Sequence, residues 1–381
     1  MEGSLKRIII LCLTAVLMFG CSTSDPEISD VTISDTNPVT GQKTMLQIYA
    51  STDNPPFKYN WTCDGGVFDE SNSDEYWAYW TSPDEPGAYS ITCTVTDDED
   101  RVTDYTFSVD VTARQVETGL IDADEEALCM DKQTVSTVGG IWVSIKGKSI
   151  RYFSSSTIED TSWDHDFNTF YLDLDESFQS YLVWGAYDHS RDITVISSSD
   201  SMTVTCQTCL SHEMINDFSI DMINPDKLWI GANSGLHYYD KSSNTGDTYK
   251  NVHVYDLSNG PVYTYAATDS GLYALGSSED PIYEGSTCHA YIDGDEESIV
   301  IWTITEGLVC KDGQPLSSQP DEIVCSLDMD SKGNIWNGKY WWDGTSWQSP
   351  DGLEDITIVE SQVSNEGLVY MRSDSGTLFS W

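Results

Sequence analysis

From Asp226 to Asp240 the chain reads Asp-Lys-Leu-Trp-Ile-Gly-Ala-Asn-Ser-Gly-Leu-His-Tyr-Tyr-Asp: a short apolar strand, a polar turn, and a returning strand. Asn233, Ser234 and Gly235 are the residue types that supply the positive φ of a tight hairpin. Related hairpins recur along the chain. Their strand aromatics, Trp142, Trp184, Trp229, Tyr265, Trp302, Trp336 and Tyr370, are spaced by 42, 45, 36, 37, 34 and 34 residues. A repeat near forty residues is one small sheet that buries its faces only against neighbouring sheets. Seven copies predict a seven-bladed β-propeller; a six-bladed ring is the alternative if the copy at Trp184 is an insertion.

Each repeat is laid out as four strands. The third takes Ile215–Met222 as its innermost strand, then Lys227–Ala232, Leu236–Lys241 and Thr248–Tyr255; the second takes 168–174, 181–187, 192–198 and 202–208. The sixth takes 321–329, 334–340 and 341–348, and the first is expected to begin at 134–138. A Trp at the centre of a blade buries a large area and wedges one sheet against the next, so the marker aromatics are core residues first. In the seventh repeat, 354–360, 368–373 and 377–381 give only three strands. An open edge there would expose unpaired backbone, so 114–121, ahead of the first repeat, is expected to pair with it and close the ring.

Asp226–Asp240 resembles the repeat of two-component-regulator propellers, whose blades run roughly Asp-x-x-Gly-x-Leu-Trp-Ile-Gly-Thr and then Gly-Leu. Asp330-Ser-Lys-Gly-Asn-Ile-Trp336 is the second good copy, while 266–272, 301–308 and 369–378 keep the hairpin and its Gly but lose the Asp-Gly lead-in. The resemblance covers residues 114 to 381 and implies an architecture; it does not imply an activity.

Residues 1–20 carry Lys6 and Arg7, then an apolar run from Ile8 to Phe19, and read as a secretory signal too short to span a membrane. Leu17-Met18-Phe19-Gly20-Cys21 resembles a bacterial lipobox, with Met18 where that family usually has an apolar Leu nearer the cysteine. The resemblance implies lipid on Cys21, a linker over 21–27, and a chain anchored at a membrane surface in the cell envelope. With 63 acidic against 18 basic residues and a formal charge of −45, nucleic acid is excluded as a partner. The same charge reads mainly as solubility, and secondarily as Ca²⁺ binding by clustered carboxylates. Asp293, Asp295, Asp328 and Asp330 are the preferred candidates, beside the runs 97–100 and 122–126, although none has complete EF-hand spacing. No other cofactor is implied.

Residues 28–112 form a separate domain with the alternation of an antiparallel sandwich and turns at Asn54-Pro55-Pro56 and Pro86-Gly87; the propeller takes 113–381. Tyr59 to Phe68, Trp80-Thr-Ser-Pro83 and Gly87 to Asp97 resemble the immunoglobulin-like PKD module of bacterial surface proteins, so the fold class is all-β, a sandwich followed by a propeller. The resemblance implies that Trp61 is core, that Tyr89 lies near the turn into the penultimate strand, and that Cys63 and Cys93 fall on facing strands and form an inter-sheet disulfide. Cys206-Gln-Thr-Cys209 reads as a structural bridge ending a strand rather than a redox pair. Cys129, Cys288, Cys310 and Cys325 permit three pairings.

Little is left for catalysis. Mature-chain arginines are few and unclustered, Asp330 and Gly333 sit one residue too far apart for the sialidase box, and no Gly-x-Ser-x-Gly, His-Glu-x-x-His or phosphate loop occurs. The acid pairs Asp164/Asp166 and Asp173/Asp175 are of a kind that a glycosidase uses, but a chain this acidic produces such pairs by composition. The expectation is a non-enzymatic envelope lipoprotein displaying a propeller for a glycan or protein ligand, with a polysaccharide hydrolase as the alternative and a scaffold as a third class. Tyr340, Trp341, Trp342 and Trp347 are the proposed ligand-stacking aromatics.

Overall fold

The computed structural model describes residues 25–51, 55–69, 75–132, 140–154, 158–160, 167–174, 181–186, 192–197, 201–205, 214–243, 245–295 and 297–381. Every regular element among them is a β-strand. They divide into two compact units, 25–40 with 44–112, and 41–43 with 113–381.

The smaller unit packs two antiparallel sheets. One orders Glu27–Ile33, Lys43–Ser51, Trp77–Thr81 and Val67–Phe68; the other orders Lys58–Cys63, Gly87–Thr96 and Val102–Val111. Alternating residues from both sheets, Leu46, Ile48, Trp61, Trp80, Ile91, Cys93 and Val109 among them, make its core. Tyr89 turns its hydroxyl back to the Glu85 carbonyl (2.8 Å), fixing the turn that enters its strand. The acidic run 97–100 serves a loop: Asp97 is fully buried, accepting the N–H groups of Glu99 and Arg101 and pairing with the Arg101 guanidinium at 2.7 Å.

The disulfide expected here is not formed. Cys63 and Cys93 lie on adjacent strands of one sheet, not on facing sheets: Cys63 stands opposite Ile91, and Cys93 opposite Trp61. Diagonal positions of an antiparallel pair are roughly 7–8 Å apart, beyond the usual Cα separation of a disulfide. Both are free thiols, and burial pushes the Cys93 pKa up to about 12.

Among the described residues of the larger unit, seven antiparallel sheets follow one another, each a meander whose strands stand in sequence order. Their innermost strands are Ala127–Lys132, Thr169–Leu174, Ile215–Ile220, Val254–Asn259, Thr287–Gly294, Asp328–Met329 and Ile358–Val363. Inner strands of neighbouring sheets touch from the first to the fifth and from the sixth through the seventh to the first, and the fifth and sixth sheets are joined by the Cys288–Cys325 bond and by His289 against the Leu327 carbonyl, the closed arrangement of a β-propeller. All seven marker aromatics are buried, none more than 8% exposed. They are therefore inter-sheet core: Trp184 packs with Ile215, Phe218 and Tyr239 of the next sheet, and Trp229 with Val254 and Leu257.

Three local expectations are corrected. The first inner strand is Ala127–Lys132, earlier than placed, and 133–139 lie outside the described residues. Tyr255 belongs to the inner strand of the fourth sheet, because the outer strand of the third ends at Lys250. The hairpin after Trp229 closes without positive φ: Ala232 and Gly235 exchange both backbone hydrogen bonds around Asn233-Ser234. Gly235 is required there for space, since a Cβ would come within 2.8 Å of the Lys250 carbonyl oxygen. Gly333 does take a left-handed φ of 81°, in the loop where Asp330 accepts from Lys332, Asn334 and the Trp336 indole N–H.

The seventh sheet has three strands, Ile358–Val363, Val369–Ser373 and Leu378–Ser380. Its outer edge is met by the segment from 114, through a single antiparallel bridge rather than a full ladder: the Glu117 N–H donates to Ser380 O (2.8 Å), and the Ser380 N–H donates back (3.2 Å). Val116 packs with Phe379 and Trp381, Ile121 packs with Leu378 and Tyr370, and the Arg114 guanidinium lies 4.9 Å from the Trp381 ring centre.

Candidate functional site

The inner strands enclose a cavity of about 390 Å³ on the axis of the ring, lined from all seven sheets. A local irregularity shapes its wall. In five inner strands the pairing with the second strand slips by one residue, leaving Cys129, Asp217, Asp256, His289 and Glu360 as the first residue after the slip. Such bulges bend the strand and re-aim the side chain that follows. Each of these five side chains then reaches the backbone of the next sheet. Asp217 accepts from Leu257 N–H (2.8 Å), Asp256 from Ala290 N–H (3.4 Å) and Glu360 from Met130 N–H (3.3 Å). His289 Nε2 meets Leu327 O at 3.0 Å, and Cys129 Sγ meets Phe167 O at 3.3 Å. Just ahead of the sixth inner strand Ser326 does the same, its hydroxyl donating to Ser361 O (2.8 Å) and accepting from Ser361 N–H (3.0 Å). Among the described residues these side chains tie the first sheet to the second, and the third through the seventh in turn back to the first, as a girdle around the cavity.

The girdle is also its electrostatic lining. His289 Nδ1 lies 3.0 Å from Asp256 Oδ1 while Nε2 faces a carbonyl, so both ring nitrogens must donate and the imidazole is cationic. Burial opposes that charge, but Asp256 outweighs it and raises the His289 pKa; Asp256 is lowered in return, against its own burial. Asp217 goes the other way: burial and the neighbouring Asp256 charge push its pKa well above the carboxylate range, and its two N–H bonds from Leu257 and Phe218 do not offset them. Glu360 is paired with Arg372, directly opposite it on the second strand, at 2.8 Å.

The residues singled out from the sequence lie elsewhere. Tyr340, Trp341 and Trp342 are the third strand of the sixth sheet, and Trp347 opens its fourth. Trp341 stacks on Trp336 (5.0 Å, 30°) and on Trp381 (5.0 Å, 26°), Trp342 meets Trp347 at 5.6 Å, and the Trp347 indole donates to Ser318 O. These rings pack strand on strand and sheet on sheet, and none of them lines the cavity. Asp295 caps its own hairpin through the N–H groups of Glu297 and Ser298, and Asp293 stands opposite Val300 in the ladder entering it. Asp328 reaches the cavity wall and accepts from Val363 N–H (2.8 Å), whereas Asp330 closes the Gly333 loop. Among the described residues, no group of three or more His, Cys, Asp or Glu side chains is arranged to hold a metal ion. Cys288 and Cys325 form a disulfide between the fifth and sixth sheets at the cavity wall, leaving Cys129 and Cys310 as thiols. Cys21, Cys206, Cys209, Asp164, Asp166 and Asp175 lie outside the described residues.

The girdle was not legible in the sequence because its members keep no constant distance from the markers. Asp217 precedes Trp229 by 12 residues, Asp256 precedes Tyr265 by 9, and His289 precedes Trp302 by 13. The loop of the first hairpin varies in length between repeats, and no pattern of apolar residues announces a one-residue slip.

No protein family and no curated protein matches the chain by sequence. Among solved structures, the extracellular domain of the one-component system BT4673 from B. thetaiotaomicron is similar with a TM-score of 0.48 at 16% identity, over 70% of this chain and 40% of that one. The chain thus spans well under half the length of that structure. A protein of unknown function from Bacteroides thetaiotaomicron aligns over 94% of this chain and 98% of its own (TM-score 0.42, 10% identity). A gluconolactonase, XC5397 from Xanthomonas campestris, aligns over 70% of this chain and 88% of its own (TM-score 0.40, 12% identity).

Proposed function

We propose that the protein is a non-enzymatic binding protein whose ligand enters the axial cavity of a seven-bladed propeller, each of the seven sheets being one blade. The observation that carries this reading is the cavity itself: about 390 Å³, within the range of small-molecule sites, with a polar wall contributed by every sheet and fixed by the inter-sheet girdle. In the same reading, residues 28–112 are an immunoglobulin-like module of the PKD kind. Residues 1–20 direct export, Cys21 carries the lipid that holds the chain at the cell envelope, and the module spaces the propeller from the membrane. The repeats at Asp226–Asp240 and Asp330–Trp336 support kinship with two-component-regulator propellers.

A hydrolytic reading has one feature on its side: burial and the Asp256 charge raise the Asp217 pKa while His289 lowers that of Asp256, the opposed shifts that an acid and base pair in glycosidic chemistry uses. Against it, the oxygens of both carboxylates are engaged by Phe218, Leu257, Ser258, Ala290 and His289, which suits wall-building better than proton transfer. Native mass spectrometry of the full chain with a library of small polar compounds separates the two. Binding gives adducts whose ligand is recovered intact; ligand recovered cleaved would overturn the proposal in favour of the hydrolase.

A further inference from the structure

The cavity wall is lopsided in charge and in hydrogen-bond character. Among the described residues it carries the carboxylates of Asp131, Asp217, Asp256, Asp328 and Glu360 against the basic groups of Arg372 and His289, so acidic groups outnumber basic ones even with Asp217 set aside. Independently, the arc made by the seventh sheet holds acceptors that no donor of the described residues reaches. The Gln362 amide is oriented by its N–H bond to Met130 O (2.9 Å), which leaves its buried Oε1 without a donor. Ser361 is 1% exposed, lines the same cavity, and has a hydroxyl without a partner. Asp131, on the first inner strand, and Asp328, on the sixth, flank this arc, since Gln362 bonds beside Asp131 and Val363 bonds Asp328. A buried acceptor without a donor is costly, and a wall with surplus negative charge favours a cation.

We infer that the axial cavity is a site for a compact organic amine, whose ammonium group sits against Asp131, Ser361, Gln362 and Asp328. An ammonium offers three donors and one positive charge, which matches what this arc lacks; a polyol matches the acceptors but not the charge. The inference rests on the cavity being the ligand site, and it adds the chemical class.

The test is calorimetric titration of the full chain with 1,4-diaminobutane and with 1,4-butanediol, its neutral counterpart, at physiological ionic strength. The diamine should bind with a stoichiometry of one, and the diol should not bind measurably. Asp131→Asn and Gln362→Met should each weaken the diamine about tenfold, a single charge-assisted hydrogen bond's worth. Unchanged thermal melts of both variants would show that they fold. Binding of the diol as tightly as the diamine would overturn the amine inference while leaving the cavity as a ligand site. No binding of the diamine, or diamine binding that salt abolishes and both variants leave unchanged, would also overturn it, the latter being ion exchange on a chain of net charge −45.

Discussion

Replacing Trp381 by Ala tests whether the ring is held shut by its last strand. The indole stacks on Trp341 at a centroid distance of 5.0 Å and lies tilted against Trp336 at 5.1 Å, and the Arg114 guanidinium lies over it at 4.9 Å. Each aromatic pair contributes about 0.5–1.5 kcal/mol and the cation–π contact about 0.5–1 kcal/mol. With the apolar area of a half-buried ring added, the loss is about 3 kcal/mol, less than the roughly 3–5 kcal/mol of truncating a fully buried one. The backbone pairs of Trp381 with Val369 and of Ser380 with Glu117 stay in place, so the chain should still fold. Deleting Leu378 to Trp381 is harsher: it removes two further buried side chains, Leu378 and Phe379, together with those pairs, and approaches the roughly 5–15 kcal/mol stability of a whole domain. The assay is native-state hydrogen exchange in the two forms that fold, wild type and Trp381→Ala. If closure couples the ring, amides of the third sheet, Ile215–Ile220 and Lys227–Ala232, should lose protection about a hundredfold, as much as those of Val369–Ser373. Loss confined to Val369–Ser373, with the third sheet unchanged, would refute the closure argument.

Four other outcomes are expected. Cys288→Ser should destabilise the propeller by about 4 kcal/mol in the chain-entropy account, given a 37-residue separation, and a reductant should reproduce that loss in the wild type; equal urea midpoints with and without reductant would contradict this. The same reductant should leave the melt of the smaller unit unchanged, and thiol titration should find Cys93, which is buried, reactive only on unfolding. Glu125 is held at a pKa of about 2 by the Arg151 guanidinium and Lys148, below its ordinary value, so its stabilisation is present above about pH 4.5 and is lost as pH falls towards 2. Glu125→Gln should therefore cost about 2–3 kcal/mol at neutral pH, read from urea midpoints, and flatten the acid limb of the stability curve; a parallel curve would refute it. Metabolic labelling with a palmitate analogue should tag the wild type and not Cys21→Ser, and equal labelling of both would remove the lipid anchor from the proposal.

Architecture was legible because it is written in the most redundant signal, the spacing of strand aromatics. All seven markers became buried inter-sheet contacts, and most strand bounds in the second and third sheets fell within one or two residues of those read from alternation. Errors gathered where local chemistry gives no period. Two cysteines on alternating strands look alike whether the strands face each other or lie side by side, so the Cys63–Cys93 bond was misplaced. Exposed-looking aromatics such as Trp341 and Trp347 are indistinguishable in sequence from a binding platform until Trp381 is folded back against Trp341. The cavity wall is the least legible part, because it depends on one-residue slips that turn Asp217, Asp256, His289 and Glu360 toward the next sheet.

Ligand binding in the axial cavity can be tested by plugging it. Val359 lines the cavity at the slipped residue of the seventh inner strand, where the fourth sheet already carries Tyr255, so Val359→Trp places a large ring at a position that tolerates one. Thermal shift of the full chain by a bound small molecule should be abolished in Val359→Trp and retained in Trp342→Ala with Trp347→Ala. An undiminished shift in the plugged variant, or its loss in the outer-strand pair alone, would contradict the account and return the site to the aromatics of the sixth sheet.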